Sequence, residues 1–181
     1  MLRRAIVLIA ASAALPARAD ECHSVDASQA SVSFELKQAG STFRGAFRRF
    51  GGEICLSGSR ATRLEVWLDP ASVDAGLPEI DAALKGSDFF AVDRYPRIEY
   101  SSGSVETSGS TQVAHGTLQM KGTRRNLDAP FSLQRTDGRI AISGALTLDR
   151  LDYGVGTGEW SNTAWLGSEV KVSFAATVPG K

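Results

Sequence analysis

The 181-residue chain predicts an all-β fold, an antiparallel sheet of eight or nine strands closed into a barrel with one short helix against it. Three observations predict it. Apolar and polar residues alternate with period two through most of the chain after residue 30, short Gly/Ser/Asp turns separate the alternating runs, and a single segment carries helix signals. Strands with one apolar and one polar face must enclose the apolar one. A sheet of this size removes its exposed edges by closing on itself.

Taken in order, residues 1–19 read as a cleaved export signal. Arg3 and Arg4 supply the basic start, Ala5 to Leu15 an apolar core of eleven residues, and Ala17-Arg18-Ala19 the small residues of a cleavage site. Such a core is too short to cross a bilayer, which takes roughly 20 residues as a helix. The pair Arg3-Arg4 is followed by Ala5-Ile6 rather than Phe-Leu, so general secretion to the periplasm is expected. Residues 20–181 are expected to form a single domain.

The first strand alternates Val32, Phe34 and Leu36 with Ser31, Ser33 and Glu35, and the second continues through Phe43 and Phe47 around Gly45. In RLEVWLD, Leu64, Val66 and Leu68 alternate with Glu65 and Trp67. Ile98 and Tyr100 follow Pro96, and Leu118 and Met120 end a run starting near Gln112. Phe131 and Leu133 lead into Asp137-Gly138, the strongest hairpin signal in the chain, answered by Ile140 and Ile142. Leu146 and Leu148 continue that strand. Val170, Val172, Phe174, Ala176 and Val178 form the last.

The helical segment is PEIDAALKG, 78–86. Pro78 suits the first helical position, Glu79 and Asp81 the positive end, Lys85 the last turn and Gly86 the stop. Leu77 is a poor N-cap, costing about 1 kcal/mol against Ser or Asp. Two turns are not stable alone, so the helix must lie on the barrel, with Phe89-Phe90 as its anchor.

After the signal is removed, 17 basic and 20 acidic side chains remain, a formal charge of −3. That balance argues against a nucleic-acid partner, which would call for a basic stripe, and Arg48-Arg49 and Arg124-Arg125 read as turns or strand ends. Cys22 and Cys55 meet an oxidising compartment after export. A hairpin turning at 39–42 pairs residues whose numbers sum to about eighty, which brings 22 near 55, with Gly51-Gly52 able to absorb the slip as a bulge. A structural disulfide follows, linking the N-terminal tail to the second strand.

Catalytic patterns are sparse. His23 and His115 lie 92 positions apart with no third ligand at metal spacing. There is no Gly-x-Ser-x-Gly elbow, and GVGTG at 154–158 lacks the Lys-Ser/Thr of a phosphate loop. Asp88, Asp93, Asp149, Asp152 and Glu159 offer carboxylate pairs, yet they stand at turn positions where Asp accepts backbone hydrogen bonds. A barrel of this size either fills with side chains or leaves room for a slender ligand, and periodicity alone does not choose between them.

Four stretches carry a resemblance: SVSFELKQAGSTFRGAFRRFGGEI (31–54), ASVDAGLPEIDAALKGSDFFAVDRYPRIEY (71–100), HGTLQMKGTRRNLDAPF (115–131) and LTLDRLDYGVGTGEW (146–160). Together they resemble the YceI family of secreted lipocalin-like proteins, with S-D-F-F-x-V-x-x-Y-P as the most specific element. The resemblance implies an extended antiparallel eight-stranded lipocalin-like barrel around a long apolar pocket. It further implies binding of polyisoprenoids or other long-chain lipids, isoprenoid quinones among them, and a b-type cytochrome of the inner membrane as a partner of some members. It makes Asp88, Asp93, Arg94, Tyr95 and Pro96 a structural corner rather than a catalytic set. Leu77 stands where the family commonly has a polar residue, and Thr123 where it has an aliphatic one.

The expectation is therefore an exported, monomeric or homodimeric lipid carrier, not an enzyme, with no resident cofactor and no metal. Its ligand would be a polyprenyl lipid or quinone. The residues expected to contact it are Phe34, Leu36, Phe43, Phe47, Val66, Leu68, Phe89, Phe90, Ile98, Tyr100, Leu118, Leu146, Leu148, Val172 and Phe174. Trp165 is expected to pack against the body of the protein, while Trp160 fits either a pocket mouth or packing. Two alternatives stand beside this reading. One is a packed barrel that docks on a cytochrome without lipid. The other is a lipid-acting hydrolase using Asp88, Asp93 or Glu159.

Overall fold

The computed structural model describes residues 20–180; the export signal expected over 1–19 lies outside the described residues. Eleven strands form one antiparallel sheet: β1 (Glu21–Asp26), β2 (Ala30–Gln38), β3 (Ser41–Phe47), β4 (Phe50–Ser57), β5 (Arg60–Leu68), β6 (Val73–Asp74), β7 (Ile98–Ser108), β8 (Thr111–Met120), β9 (Thr123–Thr136), β10 (Arg139–Asp149) and β11 (Glu169–Pro179). The order is β1-β4-β5-β7-β8-β9-β10-β11-β2-β3-β6. Because β1 runs on into β2 and β3 into β4, this order describes a ring. The bent strand β1–β2 pairs with β3–β4 and, through β2, with β11, while β4 pairs with β5. Counted that way, and setting aside the two-residue β6, eight strands close the barrel.

The bend is where the structure departs from the sequence reading. Gly51 and Gly52 do not bulge out of the pairing with β1; they stand in register opposite Asp26 and Val25. The break falls instead at Arg48-Arg49. There the two backbone N–H groups donate to the Ser72 hydroxyl at 3.2 and 2.8 Å, so a neighbouring connection takes the hydrogen bonds that the facing strand would have held. Across the break the pairing resumes and sets Cys22 directly opposite Cys55, joined as a disulfide with Cα atoms 3.9 Å apart. The staple is thus on β1 and β4, the far half of the bent hairpin.

The helix α1 (Pro78–Lys85) starts at Leu77, whose side chain makes no capping bond, and stops at Gly86. It is held as its composition requires. Leu84 is buried, and the Phe90 N–H donates to the Leu84 carbonyl at 3.0 Å. Asp81 accepts from the Ala75 N–H at 2.7 Å and ties the helix to the end of β6.

Antiparallel topology sorts the connections into two sets. At one end lie the tight turns 58–59, 109–110 and 137–138. At the other lie the turns 39–40 and 121–122 together with both long connections, 69–97 and 150–168. The two ends pack differently. Near the tight turns Leu56, Ala61, Ala114, Phe131, Ile140 and Val178 are all at most 3% exposed. Gln112 is buried among them, its amide taking the Ala61 N–H at 2.8 Å and donating to the Ser59 carbonyl at 3.1 Å. This end is a solid floor.

Candidate functional site

Above the floor the barrel is hollow. A cavity of about 410 Å³ runs up to the long connections, and its walls are almost wholly apolar. All fifteen residues singled out from the sequence line it. The same period-two parity that marks them also brings in Ile54, Leu64, Met120, Ile142 and Val170, which were not among the expected ligand contacts. Leu127 and Val155 line it too, without a clear alternating context.

What keeps the interior open is legible at the level of single pairs. Three of the inward-facing glycines each lie under an aromatic ring from another strand. A Cβ on Gly45 would overlap the Phe34 ring, one on Gly144 the Phe174 ring, and one on Gly116 would stand 2.6 Å from the Tyr100 phenol. Phe34 faces Gly45 and Phe174 faces Gly144 in the pairing register. Each ring fills the space a side chain would have taken on the wall, and so it lies along the wall instead of across the lumen. The Tyr100 hydroxyl donates to the Ala114 carbonyl at 2.8 Å, which fixes the third ring. Burial, with a smaller contribution from the Asp128 charge, pushes this phenol up to about 12, so it stays neutral.

The connections that cover this end are built around polar backbone contacts. The Asp88 carbonyl accepts from the Gly156 N–H at 2.7 Å, the Thr157 N–H at 3.1 Å and Lys121 Nζ at 3.0 Å. Lys121 also reaches the Gly154 carbonyl at 2.6 Å, which ties three segments together. Tyr95 packs over Gly122, and Pro96 leads into β7, as a structural corner requires. Phe90 meets Phe47 with ring centroids 5.7 Å apart, and Phe89 meets Trp160 at 5.4 Å. Trp160 therefore lines the cavity. Trp165 departs from expectation: it is only half covered, at 53% exposure. Its segment is held through the backbone, the Trp165 carbonyl accepting from the Ala39 N–H at 2.8 Å.

Sequence reasoning missed the one charged residue at the centre of this cover. Arg150 is 3% exposed and lines the cavity. Its five N–H donors meet five carbonyls: Nε that of Gly167 at 2.9 Å, Nη1 those of Val155 at 2.8 Å and Gly156 at 2.7 Å, Nη2 those of Trp160 at 2.6 Å and Leu166 at 2.7 Å. Burial lowers its pKa and the nearby Asp149 opposes this, but a guanidinium stays charged in proteins. Carbonyl oxygens here do the work of water, and in doing so they shape the whole 150–168 connection. No local signal in LDRLDYG announces this, because all of the partners lie downstream.

The carboxylates considered for catalysis lie elsewhere. None of Asp88, Asp93, Asp149, Asp152 and Glu159 is among the described residues lining the cavity. Asp149 accepts from the Leu151 N–H at 2.8 Å and starts a short helical turn, and Asp152 pairs with Arg125 at 3.2 Å. His115 lies half-buried at the surface, Nδ1 2.8 Å from Asp128 and Nε2 3.4 Å from Glu106, so its two nitrogens face separate carboxylates rather than one metal position.

The profile of the YceI-like domain matches residues 23–178. The chain belongs to the YceI-like family. Its relatives include a UPF0312 protein of Shewanella oneidensis, 28% identical, with 76% of this chain and 77% of that one covered. A UPF0312 protein of Pseudomonas savastanoi pv. phaseolicola is 26% identical over 90% of this chain and 93% of its own. Among solved structures, Burkholderia cenocepacia BcnA superposes with a TM-score of 0.81 at 26% identity, covering 85% of this chain and 99% of BcnA. A polyisoprenoid binding domain from Saccharophagus degradans, implicated in plant cell wall breakdown, superposes at 0.68 with 16% identity, covering 88% and 98%. This chain thus shares the barrel with proteins of widely differing sequence.

Proposed function

We propose that the protein is an exported carrier of a long apolar lipid, a polyisoprenoid or isoprenoid quinone, whose chain it encloses in the barrel. The observation that carries this reading is the cavity: about 410 Å³ of space between apolar walls, inside a barrel whose other end is packed. Its size falls in the range of roughly 300–1,000 Å³ typical of ligand pockets. The Saccharophagus polyisoprenoid binding domain has the same barrel fold, which is compatible with this ligand class. The Cys22–Cys55 disulfide supports export to an oxidising compartment such as the periplasm.

Binding here is desolvation. Each methylene moved from water into the cavity contributes about 0.8 kcal/mol, so affinity should rise with chain length until the space is filled. Asp88, Asp93 and Glu159 lie off the cavity lining, which removes support from the hydrolase built on them; the carboxylates that do line it, Glu53 and Glu79, sit on separate elements, β4 and α1.

Native mass spectrometry of the purified protein, followed by solvent extraction, tests this. A retained lipid near one per chain, with a mass series in isoprene steps, is the expected result. A bare protein that takes up neither quinones nor polyprenyl lipids on incubation would sink the carrier reading and favour a docking role on a membrane cytochrome.

A further inference from the structure

We propose that the covered end of the barrel docks on a lipid bilayer, with Leu77 and Trp165 as the side chains that enter the membrane interface. These are the exposed large hydrophobic residues among the described ones, at 54% and 53%. They sit on different long connections, 69–97 and 150–168, yet topology puts both connections at the same end of the barrel. That end is also where the cavity stops. Ile80 and Ala83, in the helix that Leu77 opens, line the cavity, and so does Leu166, next to Trp165.

Neither exposure is slack in the fold. Leu77 occupies the N-cap of α1 with extended backbone angles and no side-chain bond to the helix. Ser or Asp would satisfy a free N–H there and add about 1 kcal/mol. An apolar side chain thus stands in water where a polar one would stabilise the protein. Trp165 is carried by a segment pinned on both sides, by the guanidinium of Arg150 on the Trp160 and Leu166 carbonyls and by Ala39 on its own carbonyl. The indole is displayed by a fixed loop.

The scale of the exposed apolar surface selects the partner. Two half-exposed side chains offer on the order of 200 Å², against the ~800 Å² per partner of a stable protein interface. A second copy or a folded protein gains too little from such a surface, whereas a bilayer accepts isolated anchors, and Trp is favoured at its headgroup level. Charges on the two connections are mixed, with Lys85, Arg94 and Arg97 against Glu79, Asp81, Asp88, Asp93 and Glu159. The attraction is therefore apolar rather than electrostatic. This inference extends the carrier reading by naming the surface from which an apolar cargo would enter, and docking itself needs no cargo.

Flotation with vesicles of phosphatidylcholine and phosphatidylethanolamine tests it, using the wild type, Leu77→Ser, Trp165→Ser and the double variant. The wild type should float. Each single change should weaken vesicle partition about tenfold and the double change should abolish it, with less than about a twofold response to salt or to added anionic lipid. Leu77→Ser should hold or raise thermal stability, which separates lost docking from unfolding. A wild type that does not float, a double variant that floats equally well, or binding that needs anionic lipid and disappears in salt would each overturn the proposal. So would a dimer, seen by sedimentation, that depends on the same two residues. Uptake of a polyprenyl lipid delivered in ethanol, read by native mass spectrometry, should survive in every variant. If the wild type takes up none, the carrier reading fails, and flotation alone decides on docking.

Discussion

At the scale of single residues the most consequential side chain is Arg150. A buried guanidinium is costly unless every donor is met, and here five carbonyls meet five donors. Replacing it by Met keeps the length and apolar stem but strands five carbonyls of one connection. Each buried unsatisfied group costs about 1–3 kcal/mol, so even with water entering to serve most of them the loss should exceed about 3 kcal/mol. Urea denaturation monitored by circular dichroism reads this as a lower midpoint. Lys should rescue little, since one ammonium has three donors and no planar fork. A midpoint unchanged in Arg150→Met would show that the carbonyls are satisfied without it.

At the scale of elements, the inward glycines and their rings set how much of the barrel is hollow. Gly45 is the clean test, because the nearest atoms a Cβ would meet there all belong to the Phe34 ring, whereas at Gly144 they include the Pro130 carbonyl. Gly45→Ala should therefore turn Phe34 off the wall and into the cavity. Affinity for the longest chain the protein accepts should fall several-fold, at about 0.8 kcal/mol per displaced methylene, while shorter chains are spared. A series of prenyl alcohols of increasing length, titrated into wild type and variant, checks this; equal loss at every length would mean that the ring does not move into the lumen. The alternation that exposed these strands to sequence reasoning works because one buried face imposes period two, so the inward set from Phe34 to Phe174 was readable without coordinates. The bend at Arg48-Arg49 was not readable, because its hydrogen bonds go to Ser72, more than twenty residues on. Arg150 was hidden for the same reason. A charge flanked by Asp149 and Asp152 looks like a solvated turn until distant carbonyls close around it. Trp165 misled in the other direction, since its backbone is fixed while its side chain is left half-exposed.

At the scale of the whole molecule, the barrel closes through β2 and β11, while β1 extends past that closure as the end of the sheet, paired among the described residues with β4 alone. Hydrogen bonds to a single neighbour leave an end strand free to fray, and the Cys22–Cys55 bond across that pair is what prevents it. The bond closes a loop of 33 residues, for which the chain-entropy estimate gives about 3–4 kcal/mol. Val25 of β1 also lines the cavity, so a freed β1 would loosen the wall as well as lower stability. Removing both cysteines as Cys22→Ala with Cys55→Ala should therefore have two effects. Stability should fall by about 3–4 kcal/mol in urea, and a bound lipid should leave several-fold faster as the strand that carries Val25 opens. Reductant should lower the wild type toward the variant and leave the variant unchanged, which ties both effects to the bond rather than to the substituted side chains. If stability falls while the rate of lipid loss stays the same, β1 serves only to anchor the fold, and ligand passes solely through the end covered by α1 and the 150–168 connection.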